Sequence, residues 1–318
     1  MPEEKHYDIV VIGGGPGGLC AGLYGARAKR KTICLEKYLP GGQIANTEEV
    51  EDYIGFDLIS GAELAMKMAE HAKRFGLEIG SEEVEEVYVD GDERVVRCAS
   101  GVLYRAKAVI LATGGSPVYL GVPGEQEYAG KGVSYCAICD GAFFKDQVIA
   151  VVGGGDAAVE EGTFLTKFAS KVYIIHRRDE LRAQKIIQQR AFDNPKIEFI
   201  WDSVVEEIKG DGKQVNAVKL KNVKTDETSE LAVGACFPFI GFRPNSSVTR
   251  EELKKDDGGY IITDAKMETS IPGIFACGDV RAQLVRQITN AVGDGTTAAV
   301  AAEKYIEELE DKEAARVG

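Results

Sequence analysis

Residues 9–18 read I-V-V-I-G-G-G-P-G-G, and residues 148–158 read V-I-A-V-V-G-G-G-D-A-A. Each is an apolar run of buried-strand length that breaks into a glycine turn and then into a helix pattern. A glycine turn there lets the backbone approach a phosphate closely, and the amides and dipole at the helix amino end favour negative charge. The pattern predicts two dinucleotide-binding βαβ units in one chain.

Outward from the first turn, residues 8–12 form the strand, 13–18 the turn, 19–29 a small-residue helix and 32–36 the next strand. In Gly13-x-Gly15-Pro16-x-Gly18, Gly15 leaves room for the phosphates and Gly18 lets helix and strand pack closely. Glu36 ends the second strand, where a carboxylate accepts hydrogen bonds from an adenosine ribose. Residues 61–75 have helical apolar spacing, 77–109 alternate like antiparallel strands, and 108–113 form an apolar strand that stops at Gly114-Gly115.

The plan then repeats. Residues 147–152, 153–158, 159–168 and 171–175 predict strand, turn, helix and strand; 183–192 predict a helix and 197–219 further strands. The turn Gly153-x-Gly155-x-x-Ala158 has no acid at its second strand end. His176-Arg177-Arg178 stand there instead, with Arg182 nearby. A ribose carrying a 2′-phosphate needs cationic donors where a plain ribose needs a carboxylate, so this unit is expected to take NADPH over NADH. Residues 260–263 and 273–276 predict short strands, 296–309 a helix, and 310–318 a charged tail that frays. Gly/Pro-marked crossings near 114–117 and 241–244 bracket the second unit, which predicts its insertion into the first.

Between the two turns, residues 134–141 read S-Y-C-A-I-C-D-G. A Cys-x-x-Cys such as Cys136 and Cys139 is either a redox dithiol or half of a zinc site. No second Cys-x-x-Cys or His-x-x-x-His accompanies it, and none of the three histidines, His6, His71 and His176, is close to it in sequence. A dithiol between two nucleotide units suggests an electron relay from nicotinamide to flavin to disulfide. Asp140 is the nearest acid and the candidate proton donor. Cys20, Cys34, Cys98, Cys236 and Cys277 lie in apolar patterns and are expected to be small buried hydrophobes, with Cys277 the one to check for oxidation. The lone tryptophan, Trp201, carries no functional signal.

Composition bounds these readings. The 318 residues include 38 basic and 51 acidic side chains, a net charge of −13, so neither nucleic acid nor an anionic membrane is an expected partner. A hydrophobic share of 44% with 28% charged residues is that of a globular chain. No apolar run approaches the roughly 18 residues of a membrane span, and Met-Pro-Glu-Glu-Lys-His-Tyr has no signal-peptide core, so a cytoplasmic address is expected. Seven cysteines are too few for a disulfide scaffold, and the number is odd.

Together these residues resemble the low-molecular-weight thioredoxin reductases, FAD- and NADPH-dependent members of the pyridine nucleotide-disulfide oxidoreductase family. Residues 134–141, 176–182 (H-R-R-D-E-L-R) and 273–280 (G-I-F-A-C-G-D-V) carry the resemblance over essentially the whole chain, helped by Arg286-Gln287-Ile288 and Gly293-Asp294-Gly295. It implies an α/β fold of two Rossmann-like, three-layer ββα dinucleotide-binding domains. The NADPH domain (116–244), which carries the dithiol, is inserted into a discontinuous FAD domain (1–115 and 245–318). It further implies that Asp279 contacts the ribityl or phosphate region of FAD, that Gly42, Gln43, Arg286, Gln287 and Ile288 surround the flavin, and that Thr113 and Gly114 close the adenine side.

In the implied mechanism NADPH reduces FAD, and the flavin reduces the Cys136–Cys139 disulfide. Cys139 is then the flavin-proximal thiol, Cys136 attacks thioredoxin or a thioredoxin-like or glutaredoxin-like protein, and Asp140 handles the proton. The NADPH domain would rotate on its two connections, Lys131 would face the protein substrate, and the chain would be a homodimer. Four positions depart from the pattern. Asp156 and Ala157 stand where Asn or Ser and Thr are common, Asp52 replaces a common Asn near the flavin, and Cys277 a common Ala. A carboxylate beside a pyrophosphate weakens NADPH binding unless Asp156 points away. The competing readings are a ferredoxin-fed reductase, an oxidase of small dithiols, and a flavin-binding scaffold. The arginine cluster counts against the first, and a scaffold would need neither the dithiol nor both turns.

Overall fold

The computed structural model describes residues 3–46, 50, 52–135 and 137–317. The chain divides into two compact units: Met1–Ser116 with Arg243–Gly318, and Pro117–Phe242.

In the first unit, β1 (Glu4–Ile12), α1 (Pro16–Arg27) and β2 (Thr32–Glu36) form the βαβ start, followed by α2 (Gly61–Arg74) and β3 (Glu78–Ser81). Strands β4 (Val84–Asp90), β5 (Glu93–Cys98) and β6 (Leu103–Leu111) extend the sheet, whose main path runs β3-β2-β1-β6-β5-β4. Alternation along β1 shows how the core is built. Ile9 and Val11 face a helix-side core with Ala21, Ala298 and Ile306, while Val10 and Ile12 face a second core with Val87, Val96 and Tyr104. Successive strand side chains point to opposite faces, so a continuous apolar run is what a strand covered on both sides requires.

The second unit repeats the scheme after the connecting strand β7 (Gly115–Pro117) and the short α3 (Ala137–Asp140). Strand β8 (Val148–Val152), α4 (Asp156–Leu165), β9 (Lys171–Ile175), α5 (Lys185–Phe192) and β10 (Ile197–Ile200) follow. Next come β11 (Ser203–Gly210), β12 (Val215–Asn222), β13 (Thr228–Ala232) and β14 (Ala235–Pro238). Four parallel strands run β10-β9-β8-β14, and β11-β12-β13 make an antiparallel sheet of their own. The chain returns to the first unit through β15 (Phe242–Pro244), then β16 (Ile274–Ala276), parallel to β6, and α6 (Ile288–Val317).

Four expectations need correction. Residues 78–81 pair parallel with β2, because the intervening helix α2 is a crossover connection and brings the chain back in the same direction. Residues 260–263 form no strand; Ile261 makes isolated bridges to Lys255 and Arg281. The final helix starts at Ile288, eight positions before Thr296, and runs through both glycines of Gly293-Asp294-Gly295. Gly295 is required by packing: a Cβ there would land on the Gly17 carbonyl oxygen, so its absence lets α6 lie directly on α1. Finally, Glu310 is held by Arg30 (2.9 Å) and Lys107 (3.2 Å), and the helix continues beyond it.

Candidate functional site

In the first unit the chain leaves β1 through Gly13, whose φ of 102° and contact with the Ala112 carbonyl exclude a side chain. Pro16 supplies the first residue of α1, a position where no amide hydrogen is needed. A Cβ built on Gly18 would strike the Gly13 carbonyl, whereas one on Gly15 meets only Gly42 Cα, at 4.0 Å. The amino end of α1 therefore opens onto space. Glu36 closes one side: it accepts from Gly14 N at 2.7 Å and Tyr38 N at 3.0 Å, which places a carboxylate at the rim of the turn. Gly41 N donates to Gly14 O at 2.7 Å, bringing Gly42 and Gln43 across the same turn, where the Gln43 amide reaches Gly115 O at 3.4 Å.

Asn245 staples the crossing on the first unit's side. It accepts from Ser116 Oγ (2.7 Å), donates through Nδ2 to Thr113 O (2.9 Å) and through its backbone N to Gly114 O (2.9 Å), and its carbonyl takes the Thr113 hydroxyl (2.7 Å). Asp279 follows β16 in a single 3-10 turn. Burial raises its carboxyl pKa, Arg286 opposes the rise and Asp294 adds to it. Arg286 itself lies over the Tyr260 ring at 4.0 Å, Gln287 is exposed, and Ile288 packs against the cluster of Ile44, Val50 and Leu64. Asp52 is exposed.

The turn of the second unit is built the same way. Gly153 has a φ of 150°, and a Cβ on Gly155 would meet nothing within 4 Å, so the amino end of α4 is open as well. Ala158 is fully buried against the turn, and Ala157 is exposed. Asp156 turns its carboxylate to Gln184: Oδ1 accepts the Gln184 backbone N at 2.7 Å and Oδ2 the side-chain Nε2 at 3.3 Å. His176 lies under Gly154, 5% exposed, and its Nε2 is buried with no partner among the described residues. Burial lowers its pKa first, and Arg182, Arg178 and Arg177 lower it further. Those three guanidiniums are exposed, and no described carboxylate pairs with them. An open helix end, an orphaned imidazole nitrogen and three unpaired cations fit a phosphorylated nucleotide. The open turn with Glu36 fits one with a free ribose.

Cys136 lies outside the described residues, as does the side chain of Cys139, whose backbone belongs to α3. The segment leading to them is firmly held. Ser134 N donates to Cys236 O (3.2 Å), Cys236 N to Gly132 O (2.7 Å), and the Tyr135 hydroxyl to Glu125 (2.8 Å). Glu125 is 1% exposed and also accepts from Leu120 N and Gly121 N at 2.8 and 2.7 Å, so its charge is spread over three donors. Asp140 is half-buried and heads the next 3-10 turn without its side chain capping it.

The family described as pyridine nucleotide-disulphide oxidoreductase matches residues 7–295. The chain belongs to that family. It is 51% identical to a thioredoxin reductase of Listeria monocytogenes over 309 residues, 97% of each chain. It superposes on the crystal structure of a Lactococcus lactis thioredoxin reductase with a TM-score of 0.91 at 51% identity, covering 95% of this chain and 99% of the other. A ferredoxin-flavin thioredoxin reductase from Clostridium acetobutylicum is more distant: 31% identity and a TM-score of 0.53 over 97% of this chain and all of the other.

Sequence reading missed Glu125, Asn245 and the Gln184–Asp156 contact. Each works through hydrogen bonds between segments far apart or irregular in the chain, which leave no periodic signal. Arg281, whose Nη1 donates to both Asp294 oxygens at 3.0 Å beside the Asp279 turn, was missed too, although Gly293-Asp294-Gly295 was part of the resemblance. The five remaining cysteines are all buried, as their apolar surroundings predict. Cys277 is 1% exposed with Sγ against Gly17, and burial pushes its thiol well above the usual range, so it is a poor target for oxidation. Among the described residues no helix is long and apolar enough to cross a membrane.

Proposed function

We propose that the first unit holds FAD, the second holds NADPH, and Cys136 and Cys139 pass electrons to a protein disulfide. The activity is thioredoxin-disulfide reduction, with FAD and NADPH as cofactors. The observation that carries the division of labour is the contrast between two similar open turns, one rimmed by the Glu36 carboxylate and the other by His176 and three unpaired arginines.

Gly13, Gly15, Pro16 and Gly18 receive the FAD pyrophosphate, Glu36 its adenosine ribose and Asp279 the ribityl region. Gly42, Gln43, Asp52 and Arg286-Gln287-Ile288 border the flavin, with Thr113 and Gly114 on the adenine side. Gly153, Gly155, Ala157 and Ala158 receive the NADPH pyrophosphate, and His176, Arg177, Arg178 and Arg182 its 2′-phosphate. When bound, the cofactors supply a hydride from the nicotinamide and a flavin that passes two electrons to a disulfide.

Cys139 and Cys136 take those electrons as their disulfide opens. The Cys136 thiolate then attacks the thioredoxin disulfide, forming a mixed disulfide and releasing one substrate sulfur. The Cys139 thiolate breaks that bond, restores the Cys136–Cys139 disulfide and releases the second sulfur. Two electrons and two protons reach thioredoxin, one proton having entered with the hydride and one from solvent. Asp140 hands protons to the leaving sulfurs. Thioredoxin is the partner, and a cytoplasmic homodimer is the state this reading takes; sedimentation equilibrium returning the chain mass of 34.3 kDa would remove the dimer.

Anaerobic stopped-flow absorbance tests the assignment. NADPH should bleach the flavin far faster than NADH, and Cys136→Ser should keep that bleaching while losing thioredoxin reduction. Full turnover in Cys136→Ser would overturn the relay, and equal rates with NADH would overturn the 2′-phosphate site.

A further inference from the structure

The segment 181–184, between β9 and α5, carries Arg182, and the second unit anchors it on three sides. Arg182 N and Ala183 N both donate to Gly154 O, at 2.7 and 3.2 Å. The buried Gln188 side chain donates to Leu181 O at 3.3 Å and Ala183 O at 2.7 Å. Leu181 and Ala183 are themselves buried, in a cluster with Val159 and Ile187 against which Trp201 packs. The third anchor is Asp156. At the first position of α4, its carboxylate takes both the backbone and the side-chain N–H of Gln184. Among the described residues, these two hydrogen bonds are the ones that fasten Gln184 to the glycine turn's helix.

We infer that Asp156 is a positioning residue: by fixing Gln184 it holds Arg182 beside the open end of α4, and so sets the preference for a 2′-phosphorylated nucleotide. The inference rests on the second unit's being the NADPH site. Geometry supports it independently of the nucleotide. Arg182 lies close enough to His176 for its charge to act on the imidazole, whose Nε2 has no described partner. The Gln184 contact ties the segment that carries Arg182 to the first turn of α4. A negative charge beside a pyrophosphate carries a cost, and here that cost is offset because the carboxylate accepts two hydrogen bonds from Gln184.

The two roles predict opposite signs. If Asp156 acts mainly by repulsion, Asp156→Ala tightens nucleotide binding. If it positions Arg182, Asp156→Ala weakens binding of the 2′-phosphorylated ligand alone. The test is calorimetric titration of the flavin-loaded protein with 2′,5′-ADP and, separately, with 5′-ADP. For Asp156→Ala we expect a loss of about tenfold in affinity for 2′,5′-ADP, about 1.4 kcal/mol, with 5′-ADP unchanged. Asp156→Asn keeps an acceptor for the Gln184 backbone N and should restore most of the affinity. Trp201 emission, from the only tryptophan in the chain, should shift in Asp156→Ala and return in Asp156→Asn. Tighter 2′,5′-ADP binding in Asp156→Ala, or equal losses for both ligands, would overturn the positioning role. A wild-type protein that failed to discriminate the two ligands would instead overturn the NADPH assignment itself.

Discussion

Asp294 Oδ2 accepts the backbone N–H of Gly278 at 3.1 Å, and both oxygens of the same carboxylate take Arg281 Nη1 at 3.0 Å. One side chain from α6 thus fixes the turn that bears Asp279 at its start and at the residue after its end. Gly278, with a φ of 71°, needs the freedom of glycine to present its amide this way.

Removing that carboxylate leaves a buried amide unpaired and a largely buried guanidinium with only the neutral acceptors Thr263 and Gln283. Asp294→Ala should cost about 3 kcal/mol and lower the thermal midpoint by several degrees. The purified variant should also carry less flavin per chain, read from its visible absorbance against 280 nm. Full flavin content with an unchanged midpoint would show that the turn holds without the clamp.

The two glycines of the same helix should respond oppositely to alanine. At Gly295 a Cβ collides with the Gly17 carbonyl and comes within 3.1 Å of Ala21 N, so Gly295→Ala must push α6 off α1 and should destabilise by about 2 kcal/mol. At Gly293 a Cβ meets nothing within 4 Å, and Gly293→Ala should be neutral or gain up to about 1 kcal/mol of helix propensity. Denaturant unfolding of the two variants, compared with wild type, decides the matter.

Glu161 on α4 gives the second unit a pH dependence. Burial, and secondarily Glu160, pushes its pKa up to about 7. The folded chain therefore holds a proton that the unfolded chain releases at lower pH. Stability from this group is complete below the unfolded carboxyl value of 4.5 and is lost as pH rises toward 7. Glu161→Gln should flatten stability between pH 5 and 7, roughly the window between these values, and should gain up to about 2 kcal/mol at pH 8. An unaltered slope in urea titrations across that window would rule Glu161 out.

Thiol reactivity should separate the cysteines into two groups. Burial pushes Cys34, Cys98 and Cys236 up to about 12 and holds Cys20 above its ordinary value. Of the seven cysteines, NADPH-reduced native protein should expose only Cys136 and Cys139 to a disulfide reagent, and the other five should react only after denaturation. Rapid reaction of four or more thiols in the native state would contradict the buried placements.

Much of the architecture was legible because it rests on local rules. The runs at 9–12 and 148–152 are apolar throughout, as strands covered on both faces must be, and the glycines after them have no substitute where the backbone turns back on itself. The strands 32–36 and 171–175 were read to the residue. Legibility failed where a local rule met a long-range partner. Gly293 and Gly295 look like helix breakers until α1 is seen lying against Gly295, and the tail from Glu310 looks frayed until Arg30 and Lys107 reach it. Asp156 looked unfavourable beside a phosphate because the chain does not reveal that Gln184 takes its carboxylate.

The sequence by itself determined which chemistry the chain carries: two glycine turns, an acid after one and arginines after the other, and a Cys-x-x-Cys between them. Those are properties of residue type and short spacing, and they survive without knowing where anything else lies. Only the tertiary structure decided which groups are free to act. The Nε2 of His176 is left without a described partner, Asp156 is engaged and Asp294 is committed to Gly278 and Arg281. Hydrogen-bond partnership and burial depend on segments dozens or hundreds of residues apart, and folding alone brings them together.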